Sequence, residues 1–172
     1  MTRPPFDPVH DADVALVSAQ LGRPARDVIG IPARCVCGAP TVVATRPRLS
    51  SGTPFPTLYY LTHPAATAAV SRLEAEGRMA QFTALLADDP AVAQQYLRAH
   101  EQYLADRDAV LTVAEIDGYS AGGMPSRVKC LHALVGHSLA VGPGVNPIGD
   151  RALHECDWSP EACACAPEQR GL

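Results

Sequence analysis

The chain has 172 residues, a mass of 18.2 kDa, a formal net charge of −4 and 47% hydrophobic residues. That length suits one domain with a real core. The acidic balance argues against bulk nucleic-acid binding, and no apolar run reaches membrane-spanning length.

The opening MTRPPFDPVHDADV lacks the apolar core of a secretory signal, so the chain reads as cytoplasmic. Thiols stay reduced there, and the six cysteines are better read as ligands or free thiols than as disulfides. The charge is uneven. Five arginines and one acid fall between Arg23 and Arg48, whereas nine acids and four arginines fall between Arg72 and Asp117.

Residues 1–9 read as a loose tail. Asp11 or Asp13 is placed to cap a short helix carrying Val14, Val17 and Leu21, which Gly22-Arg23-Pro24 ends. Two β-rich runs, Val28–Ile31 and Thr41–Thr45, flank Cys-Gly-Ala-Pro and predict a hairpin. Leu58–Thr62 predicts a third strand. The pattern then turns helical. One helix is expected over 65–75, and a second around Met79, Phe82, Leu85 and Leu86. A long third starts at Pro90 with Val92, Tyr96, Ala99, Tyr103 and Val110 facing inward.

The segment Tyr119–Asp150 concentrates the chemistry. It opens with Gly122-Gly123, places Pro125 at an expected helix start, and spaces Val128, Leu131, Leu134, Val135 and Leu139 helically up to Gly142-Pro143-Gly144. A last short helix is expected from Pro147 to about Glu155. The predicted class is α+β: a small antiparallel sheet of about three strands with helices packed on it, the C-terminal two-thirds mostly helical. The expected organisation is one globular domain over 10–155, followed by an irregular cysteine-containing tail over 156–172.

Cys35-x-Cys37-Gly38 at a hairpin turn is a form of half zinc site, and Cys130, His132 and His137 are candidates for the other half. Three cysteines and a histidine make a regular zinc set, with His132 the first choice and His137 the second. An iron–sulfur cluster is the rival, since its ligands are also mostly cysteines. The bland alternative is that Cys130 fills core space and Cys35 and Cys37 are free thiols. For the tail cysteines Cys156, Cys163 and Cys165, a flexible terminus is the cheaper reading than a second site.

A second constellation is basic: Arg34, Arg46, Arg48, Arg127 and Lys129, the only lysine in the chain. With Gly122 and Gly123 offering backbone N–H groups, these residues would form a pocket for a small phosphate or carboxylate ligand. The plain alternative is arginines solvated or paired with acids. His63, before Pro64, is placed to line a pocket, and His100 reads as a helix-surface residue. No hydrolase, metalloprotease or Walker A motif is present.

The segments RCVCGAP, TRPRLSSGTPFPTLYYLTHP, SRLEAEGRM and SAGGMPSRVKCLHALVGHSLAVGPGVNPIGD resemble the bacterial domain-of-unknown-function family 501 of high-GC Gram-positive bacteria. The resemblance spans roughly residues 10–155 and carries no assigned activity. Genes of that family often lie beside those of a septum-formation initiator and an exopolyphosphatase, which implies a division or polyphosphate-related partner by association alone. The expected function is a cytoplasmic protein with a Cys/His zinc site beside an anion pocket. The alternatives are a metal-dependent enzyme acting on a phosphorylated or carboxylated substrate, and an iron–sulfur protein.

Overall fold

The computed structural model describes residues 6–170. Three antiparallel strands lie in the order β1 (Val28–Arg34), β2 (Pro40–Thr45), β3 (Tyr59–Leu61). The central strand β2 is buried along its whole length, and its side-chain alternation divides the interior in two. Val42 and Ala44 face the main core with Tyr59 and Leu61. Val43 faces a smaller core with Val17 and Ile31. β3 meets β2 in regular register, Val42 opposite Leu61 and Ala44 opposite Tyr59, while β1 pairs irregularly.

Six α-helices surround this sheet among the described residues: α1 (Asp11–Leu21), α2 (Pro64–Ala75), α3 (Arg78–Asp88), α4 (Pro90–Val110), α5 (Leu131–Val141) and α6 (Pro147–Glu155). Three of them begin with proline, where the missing N–H costs nothing. Each has a side-chain cap just before it, from His63, Asp89 or Asn146. The α+β class is therefore as the sequence predicts, and Tyr59, Leu61, Val128, Leu131 and Val135 share one core.

Four local expectations are corrected. α1 is capped by His10, and Asp13 reaches back to the His10 amide at 3.2 Å. The glycine-rich segment does not start a helix: residues 121–126 form turns, Met124-Pro125 is cis, and α5 begins only at Leu131. Val128 therefore reaches the core from non-helical chain. Of the expected loose N-terminus, residues 1–5 lie outside the described residues. Phe6 packs edge-on against Tyr59 with ring centroids 6.0 Å apart, and Asp7 bridges to Ile31. Gly30 permits this, because a Cβ there would lie 2.3 Å from that of Phe6. The C-terminal tail is anchored too: Trp158 is buried, and the Val36 amide donates to the Pro160 carbonyl at 3.0 Å.

Candidate metal centre

The β1–β2 connection is a tight turn. The Gly38 amide donates to the Cys35 carbonyl at 2.8 Å, and Gly38 has φ +89°, a conformation that favours glycine. Arg34 braces the turn from one side. Its guanidinium donates to the Gly38 carbonyl at 3.0 Å and to both Asp13 oxygens at 2.7 and 3.1 Å. That ion pair holds the Asp13 carboxyl below its usual range.

The tail comes back onto this turn. Trp158 lies against His63, ring centroids 5.2 Å apart, and the Val36–Pro160 hydrogen bond joins tail to hairpin. Five residues after Pro160 stands Cys165, buried against Cys35 and Ala39. The sulfurs of Cys35, Cys37, Cys163 and Cys165 all lie within 4.8 Å of one another, close enough to hold a metal ion. The Cys37 and Cys165 sulfurs are 3.5 Å apart. Four thiolates around one zinc at bonds near 2.3 Å would be spaced by about 3.8 Å.

His63 completes the surroundings. Its Nδ1 accepts from the Ala66 amide at 3.4 Å, which leaves Nε2 as the protonated nitrogen, and Nε2 is 3.0 Å from the Cys165 sulfur. His63 therefore donates to the Cys165 sulfur, as outer hydrogen-bond donors do to thiolates in metal sites. Burial lowers the pKa of His63, so the ring is neutral. Burial chiefly, with the neighbouring thiols, raises Cys165; burial raises Cys35 as well.

The metal set expected from the sequence is thus divided. Cys35 and Cys37 meet tail cysteines instead of Cys130. Cys130 and His132 gather with Glu74 in a separate group. His137 belongs to neither. It follows His132 by five residues, about 140° around the helix, and is fully buried. It stacks on Tyr59 at 5.7 Å and sits edge-on to Tyr103 at 5.1 Å, with Asn146 Nδ2 3.1 Å from its Nδ1.

The basic residues are dispersed into separate roles. Arg34 is held by Asp13, and Arg48 by Glu115 at 2.6 Å. Arg46, Arg127 and Lys129 are exposed. Gly122 and Gly123 close a backbone turn: Lys129 N–H donates to the Gly122 carbonyl at 2.7 Å, and a Cβ on Gly123 would stand 2.7 Å from the Arg127 carbonyl. These glycines serve close chain approach. They are not at a helix start, where free amides would greet an anion.

The residues that sequence reasoning undervalued are Cys163 and Cys165. The signal was the repeated spacing: two Cys-x-Cys limbs, each presenting two sulfurs, with Trp158 upstream as the apolar anchor. Glu74 gave no signal, because its partners lie 57 and 58 positions away on another helix.

The fold and this cluster define an α+β protein with a four-cysteine group of metal-ligand geometry. Among the described residues no helix is long and apolar enough to cross a membrane. A family model described as "Protein of unknown function (DUF501)" matches residues 31–154, and the chain belongs to that family. Cys163 and Cys165 lie beyond the matched segment. No curated protein and no solved structure matches the chain.

Proposed function

We propose that Cys35, Cys37, Cys163 and Cys165 hold one zinc ion in a closed, architectural centre that fastens the C-terminal tail to the β1–β2 hairpin. The observation that carries this reading is the convergence of four sulfurs from two distant Cys-x-Cys limbs within 4.8 Å. Four protein ligands leave a zinc ion no open position, so such a centre holds structure and does no chemistry. Sulfur-only tetrahedral sites select zinc or iron. A multi-iron cluster spreads its thiolates over several metal atoms, whereas this spacing suits one ion. Thiolate ligation needs reduced cysteines, which accords with the cytoplasmic setting expected from the sequence.

The test is elemental analysis of protein purified without a histidine tag, with absorbance recorded on the same sample. Colourless protein with zinc that Cys35→Ser and Cys165→Ser both remove supports the centre. A brown, iron-containing protein overturns zinc. Full zinc retention in both variants overturns the site.

A further inference from the structure

A second group of unlike donors lies across the molecule. Glu74 comes from the last turn of α2, Cys130 precedes α5, and His132 is its second residue. A carboxylate oxygen, the sulfur and a ring nitrogen lie within 4.8 Å of one another, and all three residues are half-buried. We propose that Glu74, Cys130 and His132 are the protein ligands of a second divalent-metal site, zinc by donor chemistry, whose fourth position opens to a groove.

The orientation of His132 supports this. Its Nε2 is 3.2 Å from the Thr67 carbonyl, an acceptor only, so Nε2 carries a proton. Ser71 Oγ, 3.1 Å away, lies on the same side. This fixes the tautomer as a backbone carbonyl commonly does for a metal-bound histidine. Nδ1 then faces Glu74 Oε1, 3.1 Å away. A proton on Nδ1, or a cation in its place, makes that contact favourable. A divalent ion satisfies the nitrogen, the carboxylate and the Cys130 sulfur together. One thiolate and one carboxylate also neutralise the ion, which makes its half-buried position inexpensive.

Glu74 is held in place as well: its Oε1 accepts the Leu131 amide at 2.7 Å, at the start of α5. Three protein ligands with the fourth position left to water are the pattern of a reactive zinc. The space for that fourth ligand exists. Cys130 and His132 line a groove of about 660 Å³ with Thr57, Tyr60, Thr67 and Gln20, whereas Glu74 does not. The groove therefore opens beside Cys130 and His132. Leu21, Leu61, Pro64 and Ala68 make most of its wall apolar, with Gln20 and threonine hydroxyls between them and no carboxylate or guanidinium, which suits a neutral, partly apolar oxygen- or nitrogen-donor ligand.

The site is independent of the four-cysteine centre, and the experiment separates them. Full-length protein is loaded with cobalt(II) and its metal content and visible spectrum are measured before and after adding imidazole. Two ions per chain are expected in the unaltered chain and one in Cys130→Ser or Glu74→Gln. Imidazole should shift the spectrum of the unaltered chain, because only an open position accepts it. That readout needs no variant. One ion that is lost in Cys35→Ser but kept in Cys130→Ser overturns the second site and leaves the first. One ion with the reverse pattern overturns the first and supports the second. A chain with no imidazole response, whose Cys130 is alkylated equally fast with and without metal, holds a free thiol paired with His132, and the inference falls.

Discussion

Cys37 and Cys165 stand 128 positions apart in the chain, with their sulfurs 3.5 Å apart. A contact of that separation closes most of the chain into a loop, and a bound ion would hold it closed. Chelation is therefore expected to lower the melting temperature, and zinc to restore it. Free zinc at a hundredfold excess over its dissociation constant should add about 2.7 kcal/mol. Cys165→Ser should lose the part of the response that the closed centre supplies. A melting curve indifferent to chelator and zinc would sink the closed centre.

His63 joins two functions that substitution can separate. Its Nδ1 caps α2 through the Ala66 amide, and its Nε2 faces the Cys165 sulfur. Asparagine keeps the cap but is too short to reach the sulfur, whereas alanine loses both. Both His63→Asn and His63→Ala should weaken zinc binding by roughly 10- to 100-fold, as losing an outer partner does. Only His63→Ala should also lose about 1 kcal/mol of metal-free stability. Unchanged zinc affinity in His63→Asn would show that the sulfur contact is incidental.

Local rules carried the sequence reading as far as single elements. The Asp89-Pro90 start, the β-rich runs beside Cys35–Pro40 and the alternation in Leu58–Thr62 each specify their element through nearest neighbours, and these are present in the structure. The sites depend on contacts across the chain. Cys35 had two sets of distant thiols to choose between. The choice was made by Trp158 on His63 and by the Val36–Pro160 hydrogen bond, neither of which has a local pattern. The Gly122-Gly123 segment misled for a related reason. Glycine before an apolar helical run reads as a helix start, but here it permits a turn that folds back on Lys129.

Asp13 and Arg34 offer a test in acid. Arg34 donates to both Asp13 oxygens, and the aspartate side chain is 11% exposed. The pairing lowers the Asp13 pKa from 3.8. A lowered carboxyl pKa stabilises the fold above the unfolded value, and the contribution disappears as pH falls through the folded value. Asp13→Asn should therefore cost about 1.5 kcal/mol at neutral pH. The deficit against the unaltered chain should shrink below about pH 3.8. Urea unfolding at pH 7 and at pH 3 measures both. A deficit that is the same at both would assign the loss to packing and not to the ion pair.

Tyr59 holds a buried carboxylate on the other side of the sheet. Its hydroxyl donates to Asp106 at 2.6 Å, Gln102 donates to the second oxygen at 2.8 Å, and Asp106 is 1% exposed. Removing one donor from a buried acceptor leaves its desolvation uncompensated. Tyr59→Phe should then destabilise by about 1.5–3 kcal/mol with little change in packing volume. A loss below about 0.5 kcal/mol, the range of an ordinary surface change, would mean that other groups satisfy Asp106 without it.

Gly149 sets how closely α6 approaches α5. An added Cβ there would lie 2.2 Å from the Leu134 carbonyl oxygen and 2.4 Å from Ser138 Oγ. In an isolated helix Gly149→Ala would be favourable by about 1 kcal/mol, since alanine is the better helix former. Here the first obstacle is backbone oxygen, which has no rotamer to adopt, so α6 itself must move. It is poorly placed to do so. Asn146 Oδ1 accepts the Ile148 and Gly149 amides at 3.2 and 2.9 Å, while Asn146 Nδ2 reaches back to His137 on α5. Sliding α6 outward strains that link and opens the core around Leu134 and Ile148, both fully buried. Overpacking of this kind outweighs the helix gain, and Gly149→Ala should destabilise by about 1–3 kcal/mol in urea unfolding. A neutral or stabilised variant would show that α6 rides loosely on α5 and that the close approach is not required by the fold.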